Sequence, residues 1–149
     1  MRVEQVEWDH PAAATLRQAQ RDEIAIRYGR ADSEPGPAPT ADDITAFFVA
    51  FDENNEPLGC GGLRQRDDTE AEIKRMFVDP RFRGTGVSTA ILQRLEQYGR
   101  QRGWARLVLE TGDQQPDAIR FYTREGYERI PNFGYYVDSP YSLCFAKAL

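Results

Sequence analysis

The chain has 149 residues, 40% of them hydrophobic and 29% charged, which suits one globular domain with its own core. A formal net charge of −5 excludes the basic surface that non-specific nucleic-acid binding needs, and no apolar run is long enough to span a bilayer. One histidine and two cysteines are too few for a zinc cluster, so no metal is expected.

The opening MRVEQVEW lacks the apolar stretch of a signal peptide. Arg2 to Trp8 alternates as a first strand would. Asp9-His10-Pro11 starts a helix with proline in its first turn, and helical composition runs to Gly29, with room for a break. Ser33 to Asp43, with three prolines, reads as a long loop. Thr45 to Asp52 is β-rich, ENNEP is a turn, and Leu58 to Gln65 is a return strand loosened by glycines. Ala71 to Val78 is another strand. Val87, Ile91, Leu92, Leu95 and Tyr98 mark one face of a helix that ends near Gly103.

Trp104 to Thr111 is a strand, and PDAIRFYTRE a short helix between Pro116 and Gly126. Strands follow at GYERI and at Tyr141 to Ala148, separated by the aromatic loop PNFGYYVDSP. Cys60 and Cys144 both fall in apolar strand-like segments and read as buried free thiols of a reducing cytoplasm. The expected fold is α/β (α+β): a single domain over residues 1–149 with about seven strands, mostly antiparallel in a mixed sheet, and about four flanking helices.

The segment VDPRFRGTGVSTAIL, Val78 to Leu92, takes a strand through arginines and glycines straight into a helix. Backbone N–H groups from Gly84 to Thr89 would converge at the helix start, where the helix dipole favours an anion. Arg83 or Arg81 would add charge. The plainer alternative is a surface loop closed by glycines. A Walker loop would need a lysine after the glycines, and a dinucleotide fingerprint a glycine where Thr89 stands.

Together with AEIKRMFV and FYTREGY, this segment resembles the GNAT superfamily of acyl-CoA-dependent N-acetyltransferases, most strongly from Ala71 to Gly126. The family's Arg/Gln-x-x-Gly-x-Gly/Ala pattern fits in two registers, from Arg81 or from Arg83. The second keeps the family's spacing from Val-Asp-Pro and ends on Ser88, a departure that is still small. The resemblance implies acetyl-CoA as co-substrate, with its pyrophosphate at Arg83, Gly84, Thr85, Gly86, Val87, Ser88 and Thr89. It also implies main-chain contacts at Met76, Phe77 and Val78, whose side chains would pack in the core. Gln115 stands where relatives have an asparagine on the pantetheine arm.

Acetyl transfer to an amine needs a proton acceptor, since an alkyl ammonium has a pKa near ~10. It also needs an oxyanion site and a proton donor for the departing thiolate. The resemblance assigns the base to Glu72 and the thiolate's proton to Tyr122. Alternation would put Glu72, Lys74, Met76 and Val78 on one strand face. Glu72 as a solvated carboxylate paired with Lys74 or Arg106, and Tyr122 as a core tyrosine, are the plainer readings. Glu110 is the rival base, or a binder of the substrate amine. With no histidine near either cysteine, direct attack in a ternary complex is preferred to a ping-pong route.

The acceptor pocket in this family lies between the N-terminal helices, Leu16 to Ala31 here, and the loop before the last strand. Arg27, Tyr28 and Arg30 would suit a carboxylate, and Phe133, Tyr135, Tyr136 and Tyr141 would box a small molecule or a cation. The expected partner is a small-molecule amine, amino-acid-like in the sharpest version. The alternatives are a protein or peptide acceptor, or a non-catalytic acyl-CoA-binding domain. Homodimers are frequent in the family.

Overall fold

The computed structural model describes residues 1–29 and 35–149. Arg30 and the start of the Ser33–Asp43 loop lie outside the described residues. The elements are β1 (Arg2–Val6), α1 (Pro11–Tyr28), β2 (Ala46–Phe51), β3 (Pro57–Gln65), β4 (Glu70–Val78), α2 (Val87–Gln101), β5 (Arg106–Gly112), α3 (Pro116–Arg124), β6 (Glu128–Ile130) and β7 (Ser142–Ala148). Among the described residues there are three α-helices, not about four, and two short 3-10 turns at Pro80–Phe82 and Gly134–Tyr136. The expected break in the first helix is not there. His10 caps its start by accepting from the Ala12 N–H at 3.1 Å, and Gly29 ends it in the left-handed conformation.

One seven-stranded sheet runs in the order β1-β2-β3-β4-β5-β7-β6. Every neighbouring pair is antiparallel except β4 with β5. The larger core packs α2 and α3 on one face through Ile91, Leu92, Leu95 and Tyr122. The smaller core packs α1 on the other through Ala13, Leu16, Phe47 and Phe77.

Two irregularities position the site. The parallel β4–β5 ladder joins only Glu70, Ala71 and Glu72 to Arg106, Leu107 and Val108. Beyond it β4 stays with β3 and β5 with β7, so the sheet opens into a wedge. The second is a bulge in β4: Lys74 pairs with Gly62 and Phe77 with Cys60, so Arg75 and Met76 together oppose Gly61. Arg75 takes φ 59° there.

The bulge overturns the expected alternation. Met76 and Val78 pack with Ala71 and Ile73 towards α2, whereas Phe77 packs towards α1. Glu72 and Lys74 therefore do not share a face with Met76 and Val78. A Cβ on Gly61 would meet the Met76 sulfur at 2.9 Å, so glycine is what admits that side chain against α2.

Candidate active site

The wedge is a cleft of about 590 Å³, bounded by α1, β4, β5, α3 and the loop before β7. Gln20, Tyr28, Lys74, Glu110, Tyr122 and Tyr135 are among the residues that line it.

The glycine turn leads into α2 beside the end of β4. Gly84 and Gly86 adopt φ 76° and 90°, which a side chain would strain, and open space surrounds both α-carbons. No side chain caps α2 at Gly86, so the N–H groups of its first turn have no intrahelical acceptor and suit an anion. Arg83 donates to both Glu23 carboxylate oxygens, at 2.9 and 2.7 Å, and to the Val78 carbonyl at 3.0 Å. Two of its five N–H groups remain. Arg81 is tied to Asp79 and Glu56 at the surface. Thr89 donates to Glu125 at 2.7 Å, which ties α2 to the end of α3, and Thr85 donates to the Phe82 carbonyl. Ser88 is half-buried in the first turn.

Tyr122, on α3, is buried, with its ring 5.6 Å from that of Tyr127, and it reaches the cleft. Burial raises its phenol well above the ordinary range, so it stays protonated. Gln115 also lines the cleft and accepts weakly from Arg27 at 3.5 Å.

The two candidate bases sit differently. Glu72 is 4% exposed and does not line the cleft. Its carboxylate accepts from Arg64 at 3.2 Å and from the Tyr136 hydroxyl at 2.6 Å, and the Lys74 ammonium lies 3.6 Å away. Arg106 pairs with Glu70 instead, at 3.0 Å. Glu110 lines the cleft and accepts from Ser142 at 2.6 Å. Burial raises its carboxyl above the usual range, against the Ser142 hydrogen bond and the Lys74 charge, which both lower it.

Residues 7–127 match the sequence pattern of the acetyltransferase (GNAT) family. The chain belongs to that family. It is similar to the IAA acetyltransferase of Azospirillum brasilense, at 36% identity over 105 residues that make up 68% of this chain and 67% of that one. A solved structure from Klebsiella pneumoniae, assigned by name to the acyl-CoA N-acyltransferases, superposes with a TM-score of 0.84 at 26% identity, covering 99% of this chain and 97% of that one. The fold is also that of a GNAT acetyltransferase from Elizabethkingia anophelis with acetyl-CoA bound, with a TM-score of 0.72 at 16% identity and coverage of 99% and 97%. Family membership makes this chain an acetyl-CoA-dependent N-acetyltransferase.

The structure gathers part of the expected acceptor side. Tyr28, Tyr135 and Tyr141 line the acetyltransferase cleft. Phe133 does not: its ring stacks under the Arg66 guanidinium at 4.4 Å and meets Tyr136 edge-on. Arg27 reaches Gln115 and Glu23 rather than the cleft lining. Met76 and Phe77 pack in the core as side chains.

Lys74 and Gln20 were not among the expected binding residues. Lys74 lines the cleft from a 5% exposed position and donates to the Tyr136 hydroxyl at 3.0 Å. Burial lowers its ammonium to about 8. Gln20 donates to the Met76 carbonyl at 3.0 Å, while its own Oε1 is buried without a partner. The Tyr28 hydroxyl is likewise buried and unpartnered. Burial raises the Cys60 thiol to about 12 and raises Cys144 as well, so neither is an activated nucleophile.

Proposed function

We propose that this acetyltransferase moves the acetyl group of acetyl-CoA to the primary amine of a small molecule by direct attack, with Glu110 as proton acceptor and Tyr122 as proton donor. The observation that carries this reading is that both line one wedge, whereas Glu72 lies behind it under Arg64, Tyr136 and Lys74.

The uncapped start of α2 and the open Gly84–Gly86 turn fit a pyrophosphate, with Arg83 able to add a contact while it holds Glu23. The pantetheine arm would run between the splayed strands past Gln115. Met76, Phe77 and Val78 would offer main-chain groups to the thioester oxygen. Glu110 takes the amine's proton, and its raised carboxyl makes it a stronger base than an ordinary carboxylate. The amine nitrogen then bonds to the carbonyl carbon and the C–S bond breaks. Tyr122 hands its phenolic proton to the departing thiolate as the C–S bond breaks; burial keeps the phenol protonated before that step and disfavours a lasting phenolate, which the proton released by the amine returns to the phenol. Glu72 is a positioning residue that holds Lys74 and Tyr136.

Four tyrosines around a cleft of this size favour a small acceptor over a folded protein. The test is release of the coenzyme A thiol with a library of small amines and a set of peptides. Turnover with small amines that is lost in both Glu110→Gln and Tyr122→Phe supports the reading. Turnover with peptides alone, or full activity in Glu110→Gln, contradicts it.

A further inference from the structure

We infer that the loop before β7 completes the base: Ser142, backed by Ser139, holds one oxygen of Glu110 and leaves the other to the acceptor's amine. The inference rests on the reading of Glu110 as proton acceptor and assigns two positioning residues to it.

A glutamate side chain has several free torsions, and a base must keep a lone pair within hydrogen-bond reach of the proton it takes. The sheet supplies a holder. Glu110 stands opposite Cys144 and Gly112 opposite Ser142, so Ser142 is the diagonal neighbour of Glu110 on the paired strand. Diagonal neighbours share a face of the sheet. The short serine therefore meets the end of the longer glutamate, with its Oγ 2.6 Å from Glu110 Oε2. That is the length expected of a hydroxyl on an ionised carboxylate. Oε1 has no hydrogen bond among the described residues, and Glu110 and Ser142 both line the cleft. In Glu72, by contrast, Arg64 occupies one oxygen and Tyr136 the other.

Ser139 adds the second link, with its Oγ 2.7 Å from that of Ser142. A hydroxyl carries one proton and an ionised carboxylate only accepts. Ser142 therefore donates to Glu110 and accepts from Ser139, so the chain runs one way, and each bond polarises the next. The loop does not need these hydroxyls for its own shape. Asn132 gathers it by donating to the carbonyls of Tyr136 and Ser142 at 3.0 and 3.1 Å, and the Asp113 N–H ties it to β5 at the Tyr141 carbonyl. Among the described residues the two serine hydroxyls bond only each other and Glu110.

The Ser142 hydrogen bond lowers the Glu110 carboxyl against the rise that burial gives it, while Lys74 lowers and Glu72 raises it from β4. Tyr136 in the loop and Cys144 on β7 also feel the Glu110 charge. Arg75, Tyr28, Tyr122 and Asp138 share the cleft. All of these stay in place when a serine is replaced, so a change in the titration reads the lost hydroxyl.

The test compares wild type, Ser142→Ala, Ser139→Ala, Glu110→Gln and the double variant Glu110→Gln/Ser142→Ala. Turnover of the most active amine of the library above is followed against pH, beside acetyl-CoA titrations that should be alike in all five. In Ser142→Ala the rising limb should move to higher pH, because only the ionised carboxylate loses a donor. The loss in kcat/KM should be about 10-fold on the acid side of the limb, the worth of a hydrogen bond to a charged group, and smaller on the alkaline side. Ser139→Ala should move the limb the same way by less. With Gln at 110, Ser142→Ala should cost nothing further. Isotope-edited NMR titration of the Glu110 carboxyl should show the same upward move without turnover. A limb and an NMR titration left at their wild-type places in Ser142→Ala, a loss equal at every pH, or an undiminished loss in the double variant overturns the inference and leaves Glu110 as the base. Full activity in Glu110→Gln overturns both.

Discussion

Glu72 and Glu110 come from neighbouring strands and differ by two places in register, yet their surroundings differ. Glu72 is held by Arg64, Tyr136 and Lys74, and Glu110 by Ser142 at the edge of open space. Glu110→Gln should lower kcat by about 10² to 10⁴-fold, the usual worth of a general base, while acetyl-CoA binding is unchanged. In the wild type, activity should rise with pH through the raised Glu110 carboxyl, because only the deprotonated form accepts a proton. That rise should lie above the ordinary carboxylate range and vanish in the variant. Glu72→Gln should act on the fold instead, since it leaves buried Lys74 and Arg64 short of a partner. A loss of about 3 kcal/mol in denaturant unfolding is expected, with a smaller effect on kcat than Glu110→Gln.

Lys74 adds a stability signature at the same scale. Its ammonium titrates at about 8 when folded and at 10.5 in the ordinary state. The unfolded chain then binds more protons between these values, so this group makes stability rise with pH across that window. Lys74→Met should remove the rise, as read by urea midpoints at pH 7.5 and 10. None of this was legible from Lys74 itself. Tyr136, which meets both Lys74 and Glu72, lies more than 60 positions away from either, and a strand lysine is ordinarily solvated. Tyr122 was legible because its neighbours Phe121, Gly126 and Tyr127 form a local pattern.

At the scale of elements, the glycine turn and α2 were legible because their determinants are contiguous: Gly84 and Gly86 for the backbone, and Val87, Ile91, Leu92 and Leu95 for the buried face. The faces of β4 were not. Alternation assumes a regular pleat, and the bulge is fixed by what packs around it, with Gly61 admitting Met76 against α2. The helix count differs because α1 runs unbroken over Pro11–Tyr28, where the sequence left room for a break, and the turns at Pro80–Phe82 and Gly134–Tyr136 are too short to show a period. Gly86→Val should disturb the turn at its most specific point. Forcing a β-branched residue to φ 90° costs about 1–2 kcal/mol and distorts the amides offered to the pyrophosphate. Acetyl-CoA affinity should fall by about 10-fold or more, whereas the far-ultraviolet circular dichroism spectrum stays that of the wild type.

For the whole molecule, the sheet order brings Glu110, Lys74 and Tyr122 together by opening β4 from β5 after three residue pairs. Strand identity was readable from the chain, but strand order and the wedge were not, since both depend on contacts distant in sequence. The buried cysteines fit a reaction without a covalent intermediate. Cys60→Ala and Cys144→Ala should each keep kcat within about twofold of the wild type, the range of ordinary packing changes away from the reacting groups; loss of turnover in one of them with acetyl-CoA binding intact would instead indicate a ping-pong route. No described helix is long and apolar enough to cross a membrane.

The most direct measurement is calorimetric titration of acetyl-CoA into the purified protein, with NADH and ATP as controls and Gly86→Val in parallel. The account predicts micromolar binding of acetyl-CoA at one site per chain, weakened in the variant, and none of NADH. Absence of acetyl-CoA binding, or binding that Gly86→Val leaves intact, would contradict the placement of the pyrophosphate at the start of α2 and the cleft chemistry built on it.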